Sequence, residues 1–213
     1  MFPLETQRLL LRPFIEGDVD AIYALVYADS QVREAWSGYT GPLEAFRLRY
    51  RAKAVWHAEG GVGFLAVVRK ADDRLLGLMG FQRYGPGEDT SHMRLMDPKE
   101  QVGYDPALTE VELTYALGRA YWGQGYATEA GQSLIEFGFR QLGIDRIVNA
   151  VLVHPDHRSL PLIERLGFRV VENLNPQVIS EGPCAGASGA IGILTRAAWA
   201  ANQAGERNAV CRS

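Results

Sequence analysis

Apolar and charged positions trade places at once near the start of the chain, where Arg8-Leu9-Leu10-Leu11-Arg12 reads as an opening strand that Pro13 ends by withdrawing a ladder donor. Asp18 stands where a cap would open a helix carrying Ile22, Leu25 and Val26 on one stripe. Pro42 suits a first helical turn and opens a longer helix through about Ala58, with Ser30 to Gly41 joining the two. Val62 to Arg69 and Leu75 to Tyr84 are β-rich runs, and the polar residues between them, Lys70 to Arg74, suit a hairpin turn.

Periodicity then lapses from Gly85 to Leu108, a long irregular loop by its Gly, Pro, Asp and Glu content. Order returns with a strand at Val111 to Leu117 and a helix at Gly123 to Gln141, in which Ala127, Ala130, Leu134 and Phe137 fall at helical spacing and Gly143 closes the end. Arg146 to Val153 is a strand, Ser159 to Leu166 a short helix that tolerates Pro161 in its first turn, and Gly167 a second C-cap. Phe168 to Asn173 and Ile191 to Thr195 read as further strands around a small-residue loop at Gly182 to Gly189. Helices at the beginning and middle with strands on either side of each predict a mixed α/β (α+β) sandwich. Residues 1–204 are read as one domain and 205–213 as a polar, frayed tail.

Composition narrows the class. At 213 residues, 47% hydrophobic and 22% charged, the chain is an ordinary globular domain able to bury a core without cross-links. A net charge of −3 offers no broad attraction for nucleic acid. Cys184 and Cys211 lie outside any CxxC or His-rich cluster, so neither a zinc site nor a disulfide framework is expected. Met1 to Thr6 lacks the basic-then-apolar form of a secretory signal, and no run reaches the length of a membrane span, so a cytoplasmic protein is expected.

The chemistry gathers in Tyr121-Trp122-Gly123-Gln124-Gly125-Tyr126-Ala127-Thr128-Glu129-Ala130. Two glycines between a strand and a helix let the backbone take positive φ, and the free N–H groups of the first helical turn then point at a bound anion. A tight connection that simply needs flexible residues would look the same. The Lys-Ser/Thr ending of a Walker loop and the third glycine of a dinucleotide fingerprint are both absent, which disfavours ATP and NAD and leaves coenzyme A (CoA) as the best phosphate-bearing candidate.

The Trp-Gly-x-Gly-Tyr-Ala-Thr-Glu-Ala run of Trp122 to Ala130 resembles the GNAT superfamily of N-acetyltransferases, in particular its branch of ribosomal-protein N-terminal (alanine/serine) acetyltransferases. Arg8 to Pro13 at the start and Arg165-Leu166-Gly167-Phe168 near the end agree with it in order, so the likeness spans roughly residues 4 to 200. It implies a mostly antiparallel, splayed sheet flanked by helices, with the pantetheine arm of acetyl-CoA entering where the strands ending at Leu117 and near Val153 diverge. Leu117 and Gly118 would offer backbone contacts, and Gly123, Gln124, Gly125, Tyr126, Ala127 and Thr128 would hold the diphosphate through N–H groups. Two departures stand out. The Gln or Arg usual three residues ahead of the first motif glycine is Ala120, and the Asn usual ahead of the late helix becomes Asp156 counted from Gly167 or His157 counted from the strand.

Direct acyl transfer needs a proton acceptor for the amine and a donor for the leaving thiolate. Glu112, whose parity differs from that of Val111, Leu113 and Tyr115, is the candidate acceptor, against the alternatives of an exposed strand residue or the partner of an arginine. Ser159 matches the family position whose hydroxyl approaches the CoA sulfur, or it caps its helix. Glu129 reads as a complement to the helix dipole. His57, His92, His154 and His157 have no paired ligand spacing, so no metal is expected. Trp36 and Tyr39 are candidates for acceptor recognition, Trp122 could line the mouth, and Trp56 and Tyr84 read as core.

The expected activity is transfer of an acetyl group from acetyl-CoA to a primary amine, on a protein N-terminus or a small molecule, with no nucleic-acid or membrane partner and with a homodimer left open. A non-catalytic CoA-binding regulatory module is the alternative, motivated by Ala120 and by Asp156-His157.

Overall fold

The computed structural model describes residues 3–36, 41–48, 63–83, 110–153, 159–172 and 188–210. Its strands are β1 (Leu4–Glu5), β2 (Leu9–Pro13), β3 (Phe64–Arg69), β4 (Arg74–Arg83), β5 (Glu110–Leu117), β6 (Arg146–Val153), β7 (Arg169–Glu172) and β8 (Ser188–Thr195). They form one sheet in the order β1-β2-β3-β4-β5-β6-β8-β7. Every neighbouring pair is antiparallel except β5 with β6.

That exception creates the cleft. The parallel pair holds only from Glu110 to Glu112 against Arg146 to Val148, while β5 stays on β4 out to Leu117 and β6 stays on β8 out to Val153. At the parting point the buried Asn149 side chain donates from Nδ2 to the Leu113 carbonyl at 2.6 Å. An amide side chain satisfies a main-chain acceptor there, in place of a strand neighbour.

Each face of the sheet carries its own core. Leu9, Leu11, Val67, Met79, Phe81 and Leu113 pack against Leu134, Ile135 and Phe137 of the helix Tyr126–Arg140. On the other face Leu78, Phe64 and Ala116 meet Ile22, Val26 and Phe46. Those come from the helix Asp18–Ile22, its π-helical continuation Tyr23–Tyr27, and a helix over 43–48. Gly131 and Gly138 let the long helix press close: a Cβ at Gly138 would stand 2.9 Å from the Phe81 ring.

Several expectations need correction. Asp18 does not cap its helix. Buried, it accepts both terminal nitrogens of Arg12 at 2.6 and 3.0 Å, and the Ile15 N–H at 2.8 Å, tying the end of β2 to the helix start. The stretch read as a connection holds a helix, Ser30–Trp36, because the Asp29 carboxylate accepts the N–H groups of Gln31 and Val32 and buries Val32 beneath. The last helix runs Arg196–Val210, past Gly205, where composition predicts fraying. Trp199 packs onto Phe139 at 5.4 Å between centroids, so tertiary contact anchors its first turns. Gly143 and Gly167 take positive φ of 68° and 88° at helix ends, as expected of C-caps.

Candidate active site

The turn before the long helix is shaped by its two glycines. Gly123 and Gly125 have φ of 74° and 80°, a conformation that costs a side chain-bearing residue roughly 1–2 kcal/mol. Gly125 is the N-cap in left-handed conformation, and no side chain caps the helix. A Cβ at Gly123 would meet nothing within 4 Å, so its positive φ rather than crowding calls for glycine. The 15-residue helix thus opens without a side-chain cap, an arrangement whose first-turn N–H groups suit a bound anion.

Behind this turn lies a brace whose parts are far apart in sequence. Arg8 donates from Nε to Glu129 at 2.6 Å and from Nη1 to the Gln124 carbonyl at 3.0 Å, and its guanidinium lies 4.5 Å from the centre of the Tyr126 ring. Glu129 also accepts the Arg8 main-chain N–H at 2.8 Å and the Thr6 hydroxyl at 2.5 Å. Burial alone would raise the Glu129 pKa, but the hydrogen bonds from Thr6 and from both the backbone and side chain of Arg8, with the Arg8 charge, outweigh it and hold the carboxylate below its usual range. Glu129 is thus a cross-strut between β2 and the motif helix, well beyond a dipole complement.

A depressed folded-state pKa contributes stability that is present above the unfolded pKa and lost as pH falls through the folded one. Glu129→Gln is expected to lower the neutral-pH Tm by about 4 °C, equivalent to about 1–2 kcal/mol. The gap between variant and wild type should close as the pH drops into the acid range, measured by thermal melts. A gap that does not vary with pH would remove the charge from the account.

In front of the turn is a cavity of about 410 Å³. Gly123, Gly125, Tyr126, Ala127 and Thr128 form one end, and Tyr115, Ala116, Leu117 and Trp122 form a wall. Ser159, Pro161, Leu162 and Arg165 of the helix Ser159–Arg165 also line it, as do Tyr121 and, from the early helix, Val32. The lining combines the glycine turn, apolar side chains and the hydroxyl-bearing residues Tyr115, Thr128 and Ser159.

The structure brings most of the sequence-selected residues together and leaves others aside. Leu117 lines the cavity, and its carbonyl accepts the Trp122 indole N–H at 2.7 Å. Gly118 lies outside the lining, with its N–H on the Leu76 carbonyl and its own carbonyl on Tyr121. The Gln124 side chain folds back onto the Ala120 carbonyl at 2.7 Å and closes the turn on itself. Glu112 is buried on β5, three residues or about 10 Å along the strand from Tyr115 and outside the lining. It shares its face with Thr114 and Ala116, the face that the early helices cover. Asp156, His154, His157, His57, His92, Tyr39, Trp56, Tyr84, Cys184, Cys211 and the loop 85–108 lie outside the described residues, as does the side chain of Trp36.

Sequence reasoning missed Tyr115, placed earlier only as a parity marker. Its hydroxyl is buried in the cavity wall, and burial pushes its pKa up to about 12 against the lowering effect of the neighbouring Ser159 hydroxyl. No cluster suited to a metal ion and no helix long and apolar enough to cross a membrane occurs among the described residues.

The acetyltransferase (GNAT) domain family matches residues 8–169. Among curated proteins the chain is 28% identical over 172 residues to the uncharacterized N-acetyltransferase p20 of Bacillus licheniformis, spanning 79% of this chain and 83% of that protein. Among solved structures it resembles a GNAT-family acetyltransferase from Bacillus anthracis, with a TM-score of 0.68 at 19% identity over 92% of this chain and 99% of the other. A second likeness is to RimL, a ribosomal L7/L12 alpha-N-protein acetyltransferase in complex with coenzyme A, with a TM-score of 0.67 at 17% identity over 91% and 98%.

Proposed function

The chain belongs to the GNAT acetyltransferase family, and from that premise we propose that it moves the acetyl group of acetyl-CoA directly onto a primary amine. The observation that carries the reading is the uncapped helix N-terminus behind Gly123 and Gly125, opening into the same cavity as Ser159. Both line one cavity, which supports reading the turn as the anion-binding end and Ser159 as part of the reacting end. Acetyl-CoA, when bound, supplies an acyl group activated as a thioester.

The chain's own residues do the rest. Main-chain N–H groups from Gly123 to Thr128 hold the diphosphate, with Arg8 and Glu129 fixing the turn from behind. Leu117, Trp122 and Leu162 exclude water along the passage. Ser159 stands where the strands part and offers a proton to the leaving sulfur, and Glu112 takes the proton that the attacking amine sheds. Holding donor and acceptor in one cleft supplies much of the acceleration without further chemistry. Asp156 or His157 would meet the donor from the segment before the late helix.

The acceptor is a peptide N-terminus or a small-molecule amine. Release of CoA thiol from acetyl-CoA, followed across peptides of varied N-terminal residue and a set of small amines, tests the reading. Turnover confined to one of the two classes is the expected result. Calorimetric binding of acetyl-CoA with no thiol release on any acceptor would overturn transfer to amines and favour a regulatory CoA-binding role.

A further inference from the structure

The cavity beside the glycine turn draws its walls from both faces of the sheet. Leu117, Tyr126 and Leu162 belong to the core under the long helix, and Tyr115 packs against that core. Ala116 and Val32 belong to the core on the other face, while Trp122 touches both. The two faces meet in one cavity at the edge of β5, beyond the last paired residues Glu112 and Val148. The glycine turn opens the long helix and so lies on the first face. Val32 lies on the second, which is also the face of Glu112.

Val32 is held firmly in that position. Among the described residues it is the one that the early helices give to the lining, and it is 2% exposed. The Asp29 carboxylate accepts its N–H at 3.2 Å and that of Gln31 at 2.9 Å. Arg33 donates from Nη1 to the Tyr27 carbonyl at 3.2 Å, so the helix Ser30–Trp36 is fastened on both sides of Val32 and packs on β5. A β-branched side chain in a helix keeps essentially one rotamer, and its two methyl groups therefore make a wall of fixed position.

We propose that Val32 sets the length of the acyl chain that the enzyme accepts, by closing against Ala116 the space that the acyl group of the donor enters. The inference rests on the acetyl-transfer reading and adds a selection among acyl donors to it. With the diphosphate at the turn on one face, a donor that passes the edge of β5 presents its acyl group on the other, the face of Glu112. A longer chain must then displace methyl groups that cannot turn away. One methylene accepted or refused by an apolar pocket changes selectivity by about 10–200-fold.

Calorimetric titration with acetyl-, propionyl- and butyryl-CoA, without any amine, reads the selection apart from turnover. Wild type should bind butyryl-CoA at least about tenfold more weakly than acetyl-CoA, and Val32→Ala should narrow that ratio about tenfold. The same shift should appear in kcat/KM for the two donors on one amine. Val32→Ile keeps the β-branch, adds a carbon at the wall and should widen the preference for acetyl-CoA over propionyl-CoA. Val26→Ala is the control, because it removes two methyl groups from a residue that is 0% exposed in the same core and outside the cavity lining. It should lose stability as Val32→Ala does and keep the wild-type donor ratios.

Equal narrowing in Val32→Ala and Val26→Ala overturns the proposal, since loosening of that core then explains both. An unchanged ratio in Val32→Ala overturns it too, as does a wild type that binds the three donors alike. A shift confined to turnover and absent from binding sets Val32 against the amine and has the same consequence. Should Val32→Ala not fold, Val32→Ile carries the test, and an unchanged ratio there sinks the idea. If wild type binds none of the three donors, it is the acetyl-transfer reading that fails, and the wild-type titration alone tells the two failures apart.

Discussion

Replacing Glu112 with glutamine is expected to cut kcat by about 10²-fold while leaving the Kd for acetyl-CoA unchanged, because positioned proton transfer contributes about 10²–10⁴-fold and the residue lies outside the cavity that would hold the donor. Glu112 is a buried carboxylate on β5, paired in register with Gln82 on one strand and Val148 on the other. Its even parity sets it with Thr114 and Ala116 on the face covered by the early helices, opposite the face where Leu113 and Leu117 pack against the motif helix. An amine approaching from the early helices would meet that face first. The pH–rate profile decides between this role and a structural one. Wild type should lose activity as the pH falls and Glu112 becomes protonated, whereas the variant lacks that limb and follows only the titration of the amine. A variant with a lowered Tm but an unchanged profile would make Glu112 a packing residue.

How much of this was legible in the chain depends on whether the cause was local. The glycine turn was, since positive φ at Gly123 and Gly125 is a property of those residues and their neighbours. The C-caps at Gly143 and Gly167 were legible for the same reason, and so were the β-rich runs that form β3, β4 and β5. Asp18 deceived because an acidic residue before an apolar stripe looks the same whether it caps a helix or pairs with Arg12 six residues earlier. The Arg8–Glu129 strut spans 121 residues and leaves no periodic trace. Tyr115 was hidden more deeply. Its place in the cavity wall depends on the strands parting after Glu112, where Asn149 bonds the Leu113 carbonyl, and neither feature has a local sequence signal. The cavity thus divides into a glycine turn written in local sequence and a wall written in tertiary contacts.

The end of β5 rests directly on bare backbone at Gly77, and Gly77→Ala should therefore damage fold and site together. Gly77 pairs with Leu117, and a Cβ there would stand 2.2 Å from the Ala116 carbonyl and 2.7 Å from the Leu117 Cα. Main-chain atoms cannot swing aside as a flexible side chain would, so the strand must shift. Gly80 offers the matched comparison: its Cβ would come within 2.0 Å of the Gly63 carbonyl and 2.6 Å of the Phe64 Cα, on the β3 side of the same strand. Both substitutions should cost about 3 kcal/mol, the upper range for overpacking, and lower the Tm by about 6–12 °C. Only Gly77→Ala moves Ala116 and Leu117, which wall the cavity, so only that variant should weaken acetyl-CoA binding at temperatures where both remain folded. Calorimetric titration of the two side by side reads the difference. An equal loss of affinity would mean that general loosening, and not the placement of the β5 end, governs the donor site. An unchanged Kd in Gly77→Ala would remove Leu117 from the cofactor wall.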